Sequence, residues 1–276
     1  MFKRDTIKTF FFVLVVTVTI IAGILLVYSL TVSHEQVDTE PAVPEAPYIV
    51  PEPEPPSEEE TVVAPPPPPV ILPHLQELHE QNPDLAGWIR IPGTAVDYPV
   101  MRSPETDWDF YLHHNFEREE AFEGIPYIWP HHETADDDLV FIFAHNMADG
   151  SMFADVAKYT DSSFLEQHPV IELSSLYTER NFEIISVFKV WVDEEAEEQW
   201  YYHPQRGTDE RIDFPYGFMT GWESADQFYE FLALSERNAL HSTGAKAAYG
   251  ERMIALWTCA SASPDEMRLV VTAVER

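Results

Sequence analysis

Cys259 is the only thiol in this chain of 276 residues. It closes the apolar run ALWTC (Ala255 to Cys259), at the end of a predicted strand. Taken alone, it reads as a small buried hydrophobe, as most cysteines outside disulfides are. A strand end differs from a strand middle, because a side chain there can face a groove while the strand fixes its position. As a thiolate it is a nucleophile, provided a cation or base stands nearby. Two residues could supply that help. His145 follows the apolar run LVFIFA and opens HNMADGSMF, so it too stands at a predicted strand end. Arg268 begins the predicted last strand, nine residues after Cys259. If these two strands pair as a hairpin, Arg268 returns to the end of the sheet that carries Cys259. A fixed cation there favours the thiolate and can bind a developing oxyanion.

The chain has 11 histidines, so one histidine by itself means little. His113-His114 and His131-His132 invite a metal reading. Adjacent residues of an extended segment point to opposite faces, so neither pair is a ready chelate, and both read as loop residues. One cysteine also excludes a disulfide framework and a multi-thiolate zinc site.

The elements that would position these groups follow from hydrophobic period and turn chemistry. Leu75 to Gln81 predicts a short helix, and Ser151 to Tyr159 another. Gly87 to Ile91 and Val96 to Met101 are predicted strands around Pro92-Gly93. Leu139 to Ala144 reads as a buried strand, and Val170 to Leu173 and Phe182 to Val192 as further strands. Ser224 to Leu240 predicts a helix, with Ser224 and Gln227 spaced as a capping box. Arg252 to Thr258 and Arg268 to Val274 are the last predicted strands. Strands outnumber helices and are mostly joined by loops, which favours an antiparallel sheet or closed barrel with peripheral helices.

Charge is uneven along the chain. The formal net charge is -32, from 48 acidic and 16 basic residues. A phosphate backbone would be repelled, so nucleic acid is not an expected partner. A basic patch on anionic lipid is equally disfavoured. Residues 1 to 9 hold Lys3, Arg4 and Lys8. Residues 10 to 30 (FFFVLVVTVTIIAGILLVYSL) are 21 residues without a charge. As a helix they would span roughly 31 Å, the thickness of a hydrocarbon core. The basic flank places residues 1 to 9 in the cytoplasm and the rest outside. A cleaved signal peptide is the alternative, but no A-x-A-like site follows the run directly. Residues 31 to 74 contain 13 prolines and nine acidic residues with no Lys or Arg, an extended extracellular linker. Residues 75 to 276 keep 13 basic and 38 acidic residues, and read as one globular domain.

Five segments in order carry a family resemblance: GWIRIPGTAVDYPV (Gly87 to Val100), FYLHHNF (Phe110 to Phe116), FAHNMADGSMF (Phe143 to Phe153), LWTC (Leu256 to Cys259) and RLVV (Arg268 to Val271). Together they resemble a class B sortase, a membrane-anchored cysteine transpeptidase of Gram-positive bacteria. The resemblance spans nearly all of residues 75 to 276, and the helix from Ser224 matches the extra helix of class B. It implies a mainly β fold, the sortase closed eight-stranded barrel with peripheral helices, preceded by one transmembrane helix. It implies Cys259 as nucleophile, His145 as general acid/base and Arg268 as the group holding substrate and oxyanion. Thr258 would line the site of the substrate threonine or the oxyanion. The implied partners are secreted proteins with a C-terminal sorting signal and an amine of a peptidoglycan precursor or a pilin. No metal or organic cofactor is implied.

The chain departs from the family near the site: Phe143-Ala144 precede His145 where the family commonly has Tyr-Gly, and Ala255-Leu256-Trp257 precede Thr258-Cys259 where it has Thr-Leu-Ser. Trp257 stands where relatives carry a small residue; it either turns away along the strand or narrows the groove. Trp108 stands where the family has Asn. Two other readings suit the same residues: a non-enzymatic extracellular binding module, and a cysteine hydrolase using water as acceptor.

Overall fold

The computed structural model describes residues 69–132, 137–193, 198–203, 207–214, 216–261 and 267–276. The expected cytoplasmic flank and anchor, and the linker up to residue 68, lie outside the described residues. Among the described residues no helix is long and apolar enough to cross a membrane.

The strands are β1 (Leu85–Arg90), β2 (Asp97–Arg102), β3 (Tyr127–Ile128), β4 (Leu139–Phe143), β5 (Val170–Ser175), β6 (Glu179–Asp193), β7 (Glu198–His203), β8 (Gly207–Asp213), β9 (Ala239–Ser242), β10 (Met253–Cys259) and β11 (Met267–Glu275). The helices are α1 (Pro73–Gln81), α2 (Ser162–Gln167) and α3 (Ala225–Arg237). Eight strands close a ring in the order β6, β11, β10, β4, β3, β2, β1, β5 and back to β6. Closure removes the sheet edges that would otherwise expose unpaired backbone groups. The pairs are antiparallel except β10–β4 and β2–β3, which are parallel. β7, β8 and β9 pair outside the ring.

Period-2 alternation sorts each ring strand into an inner and an outer face. One buried cluster draws Ile89, Val100, Ile128, Ile142, Leu173, Ile184, Leu256 and Val271, one from every ring strand, so it is the barrel interior. Phe153 and Tyr159, both fully buried, belong to the same interior cluster. The second cluster is the outer face, where Phe141, Phe143, Phe188 and Trp257 meet Phe228 and Phe231 of α3. α3 is amphipathic for this reason, and its buried stripe offsets the entropy of ordering the helix.

Several predicted boundaries shift. α1 starts at Pro73, whose fixed φ and missing N–H suit a first helical turn. The expected helix over Ser151 to Tyr159 is a 3-10 turn at Val156–Thr160, followed by α2, which Asp161 caps by accepting from the Ser163 amide. α3 stops at Arg237, three residues short of expectation. Asn238 ends it, and Ala239–Ser242 turn into β9 against β6. Ser224 does cap α3 by accepting from the Gln227 amide, while the Gln227 side chain accepts from the Glu223 amide.

Candidate active site

Strand phase and register bring the three chemical groups together. On β10, Met253, Ala255 and Trp257 belong to the outer cluster, and Ile254 and Leu256 to the inner one. Cys259 is in phase with Trp257 and therefore emerges on the outer face. Arg268 is the register partner of Cys259 across β10–β11, in phase with the outward Val270. Phe143 pairs with Trp257 across the parallel β4–β10 seam. Two residues on, His145 stands level with Cys259. The seam extends past the strand end, because the Ala144 amide donates to the Trp257 carbonyl at 3.3 Å and Asn146 Nδ2 donates to the Cys259 carbonyl at 3.1 Å. Arg268, Cys259 and His145 thus line one cleft of about 560 Å³, with Leu112, His113, Tyr127, Trp129, Phe143, Val192, Met219, Trp257 and Asp109 among its walls.

Cys259 is half-buried and outside any disulfide. The His145 ring hydrogen-bonds the Leu112 backbone carbonyl. Its Nε2 is buried with no hydrogen-bond partner, so Nδ1 makes that bond and carries a proton. A buried ring nitrogen left open in a cleft is the place where a proton can be given or taken. Burial is the largest influence on this histidine and lowers its pKa; the charges of His113 and Arg268 push the same way, and the Leu112 carbonyl opposes them. The imidazole is consequently held mostly neutral at neutral pH. Phe122, 77% exposed, stacks beside it with ring centroids 6.1 Å apart.

Gly124 supports this arrangement. Its φ is +56°, and a Cβ there would overlap the Leu112 carbonyl oxygen that His145 uses. A side chain at that position could not coexist with the carbonyl in its present place.

Thr258 lines the cleft but is 1% exposed, and its hydroxyl donates to the Ala144 carbonyl at 2.8 Å. The hydroxyl is therefore occupied in tying the ends of β4 and β10 together. Trp257 does not turn away from Cys259: two residues apart on one strand, both face outward. The indole is 8% exposed and packs on Phe214, Phe141 and Phe143 at 5.7, 6.1 and 6.3 Å between centroids. It forms the cleft floor.

The histidine pairs divide in a way their spacing did not reveal. His113 lines the cleft, its ring 5.6 Å from that of His145. His114 stacks on Phe110 at 3.7 Å and its Nδ1 meets the Phe110 carbonyl. His132 is buried between Asp137 and the Met219 carbonyl, at 2.9 and 2.8 Å. Among the described residues no three His, Cys, Asp or Glu side chains are grouped to hold a metal ion. Sequence reasoning missed His113, Asn146 and Asp109, whose positions depend on loops without a periodic signal.

No family model matches the chain. It is 32% identical over 188 residues to the curated sortase B of Listeria monocytogenes, covering 67% of this chain and 66% of that protein, just under two thirds of its length. The solved structure of sortase B from Listeria monocytogenes superposes with a TM-score of 0.57 at 30% identity, covering 72% of this chain and 99% of that one. A Staphylococcus aureus sortase B-substrate complex gives 0.60 at 23% identity, over 75% of this chain and 86% of the other. This last likeness is one of fold.

Proposed function

The chain belongs to the class B sortases, and from that premise we propose that it is a membrane-anchored cysteine transpeptidase. It cleaves a C-terminal sorting signal after Thr and transfers the protein to an amino group of the cell wall or a pilin. The observation that carries this reading is the level row of Arg268, Cys259 and His145 on the outer face of β11, β10 and β4, within one cleft.

The chemistry follows from the position of each group. The Cys259 thiolate attacks the carbonyl carbon of the peptide bond after Thr, and the carbonyl oxygen takes up negative charge. Arg268, paired with Cys259, stabilises that oxyanion. The C–N bond breaks as His145 Nε2 gives its proton to the departing amine, leaving a thioester on Cys259. The acceptor amine then attacks the thioester carbonyl, loses its proton to the neutral Nε2, and the thiolate departs. Leu112 suits both steps, because its carbonyl fixes the tautomer that leaves Nε2 available. The low pKa of His145 makes the thiolate–imidazolium pair a minority species near neutral pH. The rate therefore depends on pH through both groups. Thr258 acts through the Ala144 carbonyl, aligning the two strand ends, rather than on substrate.

Residues 10 to 30 are the anchor in this reading, with residues 1 to 9 cytoplasmic and the domain outside on its proline-rich linker. That the Staphylococcus aureus sortase B of the same fold was solved as a substrate complex supports a substrate-binding role for this chain.

The test is direct. The full chain, kept in mild detergent, is incubated with a panel of Thr-containing sorting-signal peptides, and Cys259 is examined by mass spectrometry. A thioacyl adduct that Cys259→Ala does not form is the expected result. Adding an amine should then yield a product carrying its mass. Hydrolysis alone, with or without amine, would replace transfer by a hydrolase, and no adduct across the panel would sink the reading.

A further inference from the structure

The cleft carries unlike groups along its length. The Arg268 guanidinium and the His113 and His145 rings stand around Cys259. From there an aromatic row crosses the outer face. Phe143 is the register partner of Trp257 on β10 and of Tyr127 on β3, with ring centroids 6.3 and 5.4 Å away. Trp129 stacks on Phe143 at 4.9 Å. The row ends at Asp109. Its Oδ1 accepts from the Tyr127 hydroxyl at 2.7 Å and from Trp129 Nε1 at 3.4 Å, and neither bond uses Oδ2. Two donors on one oxygen hold the carboxylate in one orientation at the cleft wall.

Next to it stands Trp108, 44% exposed, with its ring 5.5 Å from Trp129 and 5.2 Å from His131. Burial lowers the pKa of His131, and the charge of His132 adds to that, so His131 stays largely neutral and is no competing cation. Carboxylates reinforce this end: Asp107 acts on Tyr127, and Glu105 and Asp137 act on His131. An oriented carboxylate supplies a counter-charge for a cation, and the exposed ring of neighbouring Trp108 adds an aromatic surface, while Trp129 turns its N–H edge to Asp109 and fixes its position.

We propose that Asp109, with Trp108 and Trp129, forms a subsite for a cationic side chain, lysine or arginine, of the donor peptide. The proposal rests on the reading of this cleft as a peptide site. Strand spacing places Tyr127 roughly 12 Å from Cys259, from two strand steps across and two residues along. That is about three or four residues of extended peptide from the scissile bond. An ammonium group so far from the thioester is not its nucleophile, so the acceptor amine is not the occupant.

The test uses the full chain carrying Cys259→Ala in mild detergent, so binding is read without turnover. The probes are Thr-containing decapeptides with a single lysine moved along the sequence, each paired with its acetyl-lysine twin. Isothermal titration should show one position where lysine binds roughly fivefold to tenfold more tightly than acetyl-lysine. The advantage should shrink with added salt. It should vanish when Asp109→Asn is added, since asparagine keeps an Oδ1 acceptor for Tyr127 and Trp129 while removing the charge. Equal binding of every pair would overturn the proposal, as would an advantage that survives Asp109→Asn. With Cys259 intact, an Asp109→Asn effect confined to use of a lysine acceptor would also overturn it. Absence of a thioacyl adduct in the parent chain counts against the transpeptidase reading instead, and leaves the binding comparison standing.

Discussion

Thr258 separates two uses of one hydroxyl. In the structure it is 1% exposed, and its Oγ1 donates to the Ala144 carbonyl at 2.8 Å, between the residues that lead into Cys259 and His145. Thr258→Val keeps the shape and removes the donor. The net loss of a fully buried neutral hydrogen bond is about 1 to 2 kcal/mol. For a domain of this size that lowers Tm by about 2 to 8 °C. The bond fixes the β4 end against the β10 end, so its loss also loosens the spacing of His145 from Cys259, and acylation should slow. Thermal unfolding followed by circular dichroism, beside mass-spectrometric acylation rates, reads both effects on one sample. Thr258→Ser keeps the donor and should acylate like the parent. If Thr258→Val melts with the parent and yet acylates slowly, the hydroxyl serves substrate or oxyanion directly, and the strand-tie argument fails.

Gly124→Ala should displace the Leu112 carbonyl and misdirect His145, destabilising by about 1 to 3 kcal/mol and slowing acylation. Gly250→Ala is its control, with φ +93° and open space around its Cβ, and should leave acylation intact; equal effects of the two would refute the link to His145. His113→Gln removes a charge that lowers the His145 pKa. The NMR titration of His145 should move to higher pH, and the rate at neutral pH should not fall, because the imidazolium becomes more populated; an unchanged or lower midpoint contradicts this. Trp257→Ala empties a floor packed on Phe141, Phe143 and Phe214 and should destabilise by about 3 to 5 kcal/mol. A loss under 1 kcal/mol in chemical denaturation would show that the indole is not part of the packed face.

Much of this protein is written locally. Apolar runs such as LVFIFA and MIALWTC are strands because their β-branched and aromatic residues pack on a pleated surface. The Ser224–Gln227 cap is legible because its partners are three residues apart. Cys259, His145 and Arg268 were recognisable from residue type, from their places at strand ends, and from the ordered segments around them. β3 escaped notice because two residues carry no period. β9 escaped because its Ala and Leu continue the helical pattern of α3 until β6 offers them a pairing partner. β7 and β8 likewise gave no period strong enough to read.

Sequence by itself determined which residues could do chemistry and which short segments would be strands. Both depend on side-chain type and near neighbours. Tertiary structure alone decided that the barrel closes through β6–β11, and that β4 and β10 run parallel in a register setting His145 level with Cys259, 114 residues later. It also decided that the Thr258 hydroxyl turns inward to Ala144, that Trp257 faces the cleft beside Cys259, and that His113 lies against His145. Register between distant strands is fixed by burial of whole faces, and a shift of one residue would turn every side chain to the opposite side. That constraint belongs to the packed barrel rather than to any single segment.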